Sequence, residues 1–164
     1  GFKTRATDTR EYDMRSIDRG TFSSDYSLSM PEAESDLKQA RFILAAGRGV
    51  RNRKYVEKLG QIAAVIGAEL GVSRPVAMSA WAPLNRLIGV SGEITAPQIC
   101  IAAAVSGTAA FYKGIENSGK IIAINTDREA SIIQAADVAI IDDYETVLEE
   151  LAKIVQKENL QQKL

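Results

Sequence analysis

Four short polar clusters hold the residues that could do chemistry. Gly47-Arg48-Gly49 follows the apolar run Arg41–Ala46, and Ser106-Gly107-Thr108 follows the run Ile99–Val105. Asn125-Thr126-Asp127 follows Ile121–Ile124, and Gly89-Val90-Ser91-Gly92 precedes Thr95-Ala96-Pro97. Small hydroxyls, glycines and an arginine suit an anion. Glycine lets backbone come close to a ligand, and a strand, glycine turn and helix in series aim backbone N–H groups and a helix N-terminus at a phosphate. A second reading stays open for each cluster. Serine and glycine also build plain strand-to-helix turns, Gly47 and Gly49 satisfy only part of a dinucleotide fingerprint, and Arg48 fits a solvated loop as well as a cofactor contact.

What the chain lacks narrows the chemistry. It contains no histidine, which removes the commonest general base and every Ser-His or Cys-His nucleophile pair. One cysteine, Cys100, leaves no internal disulfide, and with no histidine beside it a structural zinc site is excluded in practice. Cys100 sits inside an apolar run and reads as a buried structural thiol. Asp142 and Asp143 are sequence neighbours at a strand end, where adjacent side chains diverge, so they make no shared-proton dyad. No catalytic or metal-binding residue is assigned, and redox chemistry here needs a cofactor.

The elements that must position these clusters follow from periodicity. Residues 1–36 are rich in Arg, Asp, Ser and Thr and read as an N-terminal arm or linker. Phe2–Met14 could hold a strand, Ser23–Ser35 is linker-like, and Ser35 or Asp36 caps the approach to the domain. Residues 37–164 form that domain. Arg41–Ala46, Ala68–Val72, Ile99–Val105, Ile121–Ile124 and Asp137–Asp142 are strand-length apolar runs, as buried parallel strands require. Between them, Tyr55, Val56, Leu59, Ile62, Ala63 and Ile66 recur at helical spacing over Asn52–Ile66, and Gly67 closes that helix. Ala109–Lys113 and Glu129–Ala136 are shorter helices. Pro75 ends the second strand, Trp81–Leu87 is a loop, and Tyr144–Lys157 is the closing helix, with polar Glu158–Leu164 fraying beyond it. The fold class expected is α/β, a doubly wound, mainly parallel sheet in three layers. In such sheets ligands lie outside the carboxyl ends of the strands, where the polar clusters fall.

With 164 residues, 46% hydrophobic and 25% charged, the chain is long enough for one domain with a real core. A net charge of −1 points to neither nucleic acid nor an anionic membrane. The apolar runs fall far short of the ~20 residues of a membrane span, and no apolar signal core is present, so the expectation is a cytoplasmic protein without membrane insertion.

Gly47-Arg48-Gly49, Val72-Ser73-Arg74, the Gly89–Gly92 loop with Ala96-Pro97, Val105-Ser106-Gly107, Ala123-Ile124-Asn125 and Asp137…Asp142 occur in one order. Together they resemble the C-terminal FAD-binding domain of the electron transfer flavoprotein alpha subunit, over about Leu37 to Ile154. The resemblance implies extended FAD, an isoalloxazine ring facing a beta-type subunit, and electrons carried from a dehydrogenase to a quinone-linked acceptor. It places Arg48 by the flavin ring, Ser73 on the pyrophosphate, and Arg74 near N5 and the C4 carbonyl. It puts Ser91 in the place of an N5-bonding threonine and has Gly92 admit the chain to the cofactor. Ser106 and Gly107, with nearby N–H groups, would take phosphate, while Asn125 and Asp142 would hold the adenosine.

The chain departs from the family pattern at the flavin end. Val90 replaces a glutamine, Glu93 a lysine, and Ala110-Phe111 a Gln-His pair. The family also carries a whole domain upstream, where only about 36 residues precede the domain here, so the chain is a fragment or a free-standing relative. Three functions stay open: an FAD-binding electron carrier rather than a self-sufficient enzyme, a stand-alone module for AMP, ADP or NAD, and an interaction protein that kept only the fold; the partner expected of the carrier is a beta-type subunit or, as a homo-oligomer, a second copy of the chain.

Overall fold

A computed structural model describes residues 10–12 and 37–162. Six strands form one sheet. They are β1 (Arg10–Tyr12), β2 (Phe42–Ala46), β3 (Glu69–Val72), β4 (Ile99–Ala103), β5 (Lys120–Ile124) and β6 (Val138–Ile140). Their order is β1-β6-β5-β4-β2-β3, and every pairing is parallel. Five strands of the domain thus carry one further strand from residues 10–12 beside β6. The expected caps Ser35 and Asp36 and the linker Ser23–Ser35 lie outside the described residues.

Side chains alternate across the central strands. Leu44, Ala46, Ile101 and Ala103 enter the core under helices α1 (Arg53–Ile66) and α5 (Tyr144–Gln161). Ile43, Ala45, Cys100 and Ala102 enter a second core under α3 (Ala109–Tyr112) and α4 (Ser131–Ala135). Two cores on opposite faces make the three layers expected from the sequence. Cys100 is fully buried.

The long helices start and stop for local reasons. Asn52 caps α1, its side chain accepting from the Tyr55 N–H at 3.3 Å, and Gly67 ends it in the left-handed region at φ 74°. Asp143 caps α5 by accepting from the Glu145 N–H at 2.9 Å. Lys58 of α1 reaches Glu145 at 2.8 Å and also Glu149, joining the two helices. α5 continues past Glu158 as far as Gln161.

A helix α2 (Arg74–Met78) occupies the stretch where Pro75 reads as a stop. Proline at a first-turn position gives up an N–H that has no helical partner anyway. Beyond α2 the chain returns along β3. Ile88 N–H donates to Val72 O at 2.9 Å, and Arg86 donates to Leu70 O at 3.3 Å and to the Glu69 carboxylate at 2.7 Å.

Candidate functional site

Strand order reverses direction between β2 and β4. The chain goes outward from β2 to β3 on one side and from β4 to β5 and β6 on the other. Loops leaving such neighbours diverge and open a crevice at the carboxyl ends of the strands. A crevice of about 720 Å³ lies there, lined by the loops after β2, β3, β4 and β5 and by residues 87–91. That volume falls within the roughly 300–1,000 Å³ typical of cofactor and small-molecule sites.

Six residues picked from the sequence meet in this crevice: Arg48, Ser73, Arg74, Ser91, Ser106 and Asn125. Arg74 donates to Ser91 Oγ at 3.3 Å, so residues seventeen positions apart act as one polar pair. The Ser73 hydroxyl is buried and has no hydrogen-bond partner among the described residues. A buried hydroxyl left unpaired costs free energy, and this one lies on the crevice wall.

Three of the picked residues stand outside the lining. Gly92 packs against Leu87, where a Cβ would lie 2.2 Å from the Leu87 carbonyl oxygen. Gly107, at φ 83°, packs against the Ile132 backbone, 2.3 Å from where its Cβ would be. Asp142 accepts from the Asp143 N–H at 2.7 Å, while its other oxygen is buried without a partner among the described residues.

The glycine turn after β2 differs from the amide cradle that the sequence suggested. Gly47 N–H donates to Ala103 O at 2.9 Å and Gly49 N–H to Ala104 O at 3.2 Å. Both are spent on pinning this loop to the end of β4 and the residue after it, and Arg48 between them lines the crevice. Free amides lie instead on the other loop: the N–H groups of Ser106, Gly107 and Thr108 take no acceptor among the described residues. Successive free N–H groups around a left-handed residue make an anion-binding concavity.

Asn125 joins the two loops on the far side. Its amide donates to Val105 O at 2.8 Å, and its carbonyl oxygen accepts from the Asp127 N–H at 2.9 Å. Thr108, Asp127, Glu129 and Ser131 also line the crevice. Thr108 and Asp127 belong to the polar clusters of the sequence, whereas Glu129 and Ser131 were not singled out there, although they continue the Asn125 loop and the strand-end rule points at the whole loop. Arg48 and Arg74 thus share the crevice with the carboxylates of Asp127 and Glu129. Where the family pattern has polar side chains at the flavin end, the crevice is lined by Val90, 65% exposed, and by Phe111, packed in the second core. Among the described residues no three His, Cys, Asp or Glu side chains gather to hold a metal, and no helix is long and apolar enough to cross a membrane.

Comparison with known proteins agrees with this geometry. The family described as the electron transfer flavoprotein FAD-binding domain matches residues 36–116. The chain is 40% identical over 118 residues to the protein FixB of Azotobacter vinelandii, covering 72% of this chain and 33% of that one. It is 37% identical over 115 residues to the putative electron transfer flavoprotein subunit YgcQ of Escherichia coli K12, covering 70% of this chain and 40% of that one. It is 34% identical over 125 residues to the electron transfer flavoprotein subunit alpha of Clostridium acetobutylicum, covering 76% and 37%. The chain spans between a third and two fifths of the length of these relatives. Ordered motifs, a parallel sheet with its crevice at the strand reversal, and these matches together place the chain in the electron transfer flavoprotein alpha family, as its FAD-binding domain.

Proposed function

We propose that this domain holds FAD along the crevice and forms the alpha-type half of an electron carrier, working with a beta-type subunit between a dehydrogenase and a quinone-linked acceptor. The observation that carries the reading is the donor set at the strand reversal: two arginines, an unpaired buried hydroxyl and the free amides of Ser106 and Thr108 in one crevice. That set fits a diphosphate flanked by ring systems. Ser73 Oγ and the N–H groups of Ser106 and Thr108 hold the phosphates. Charge-assisted hydrogen bonds of this kind are the strong ones. Arg74, with Ser91, faces the flavin ring and stabilises negative charge on it, and Arg48 adds a second cation. Asn125 carries the adenosine end, with the free oxygen of Asp142 behind it. Bound FAD supplies the electron transfer itself, and the chain supplies binding, orientation and field.

The experiment is to purify the protein, add FAD, remove the excess by gel filtration and record the absorbance spectrum. The expected result is flavin bands at one equivalent per chain, and a large loss of FAD affinity in Arg74→Ala. Protein that stays colourless after reconstitution, or an Arg74→Ala variant with unchanged affinity and potential, would overturn the reading.

A further inference from the structure

A second cavity lies on the flank of β3, between α1 and residues 80–86. Its volume is about 550 Å³, and it shares no lining residue with the crevice at the strand reversal. Val56, Leu70, Trp81, Ala82 and Pro83 give it apolar walls. Trp81 is the single tryptophan of the chain, half-buried and packed against the core under α1 and α5. The residue before it, Ala80, adopts φ 55°, in the left-handed region that a side chain disfavours. Two bonds back to α2 hold that conformation, Ala80 N–H to Ala77 O at 3.0 Å and Trp81 N–H to Val76 O at 3.3 Å.

Arg86 supplies the polar end. Its side chain is 10% exposed, and Nη1 donates to the Glu69 carboxylate at 2.7 Å and to Leu70 O at 3.3 Å. Nε and Nη2 take no acceptor among the described residues, yet neither is sealed from solvent. With nine-tenths of the residue buried, the opening they keep is the cavity that Arg86 lines. The Nε–H and one Nη2 N–H lie parallel on one edge of the planar guanidinium, the fork that grips both oxygens of a carboxylate. The charges around it balance. Arg86 faces Glu69, while Arg53 Nε donates to Glu57 Oε1 at 2.9 Å, and both members of that second pair line the cavity. A bare anion therefore gains little from the surrounding field, and an apolar body against Trp81 and its neighbours must add the rest.

We propose that this cavity is a second ligand site, which takes a small aromatic carboxylate: the ring against Trp81 and Pro83, the carboxylate on the free Nε and Nη2 edge of Arg86. Apolar and aromatic walls with one fixed polar contact, in a volume of roughly 300–1,000 Å³, are the usual make-up of a small-molecule site. The inference does not rest on the FAD reading, because no residue is common to the two cavities.

The test is titration of benzoate into the whole protein, read by the emission of Trp81, with benzamide and acetate as controls. Benzamide keeps the ring and loses the charge; acetate keeps the carboxylate and loses the ring. Benzoate should change the emission saturably, and both controls should bind at least about tenfold more weakly, the scale of a charge-assisted hydrogen bond or a buried ring. Arg86→Lys keeps the charge without the fork and should weaken benzoate binding by a similar factor, with its melting temperature showing that it is folded. The ligand comparison uses the wild-type protein, so it decides the matter even where that variant fails to fold. Calorimetry should give the same benzoate affinity with and without FAD. No saturable change, a control that binds as well as benzoate, a folded Arg86→Lys with unchanged affinity, or displacement of benzoate by FAD would each overturn the site. The last would move the ligand into the crevice, and none of the four would overturn FAD binding there.

Discussion

Tyr144 opens α5 as a buried phenol whose hydroxyl donates to Val50 O at 3.4 Å. Burial first, then the nearby carboxylates of Glu145 and Asp143, push its pKa up to about 12 from the ordinary 10.0. The folded state therefore keeps its proton where the unfolded chain has lost it. Stability from this residue is whole below pH 10.0 and drains away as the pH climbs from there to about 12. Lys58 adds to the same alkaline loss: burial lowers its pKa, but Glu145 and Glu149 outweigh that and leave it raised. Urea midpoints measured at neutral pH and within that alkaline window should converge partly in Tyr144→Phe, and the remaining fall should shrink in Lys58→Met. Ser73 gives a sharper residue-scale test. Removing its unpaired hydroxyl should stabilise the protein without ligand by about 1 kcal/mol while weakening FAD binding. Thermal melts with and without FAD read both signs at once, and a Ser73→Ala variant less stable in both would count against the phosphate role.

Among the elements, α1 shows why some structure is legible in a sequence. Its apolar spacing, the Asn52 cap and the Gly67 stop are all local, and the helix runs where they say. Asn52→Ala should cost about 1 kcal/mol in urea unfolding, the usual worth of such a cap, without altering FAD affinity. The five domain strands were equally plain, because parallel strands buried on both faces are continuous apolar runs. α2 was hidden by Pro75, which reads as a breaker anywhere except the first turn, and only the fold says that it is in the first turn. The Gly47-Arg48-Gly49 turn misled for a related reason. Its N–H groups are taken by carbonyls of the β4 loop, more than fifty residues away, and such a partner leaves no local mark. Arg48, Ser73, Arg74, Ser91, Ser106 and Asn125 were legible as lining because each sits just past a strand or in the glycine loop. Asp142 also ends an apolar run, and the sequence does not show that one of its oxygens is taken by the Asp143 N–H while the other is buried. Asn125→Leu should lower stability by about 1–2 kcal/mol, because the bond to Val105 O and the turn at Asp127 both depend on its amide.

For the whole molecule, ligand binding and stability are one measurement. A cofactor that binds only the folded state raises the melting temperature with its concentration, by about 2.7 kcal/mol at a hundred times Kd. FAD should therefore shift the melt progressively, and the shift should be smaller in Arg74→Ala. A melt that ignores FAD would oppose the proposed site without any spectroscopy.

The path of residues 84–88 along β3 has a consequence for how copies of this domain can meet. An edge strand with open carbonyls invites a second chain to add itself to the sheet. On β3 the two outward acceptors are already spoken for, Val72 O by the Ile88 amide and Leu70 O by the Arg86 guanidinium. The sheet is thus end-blocked on this flank. A neighbour arriving there finds no template to extend, and polymerisation by strand stacking is closed off where the domain's own chain has already plugged the row.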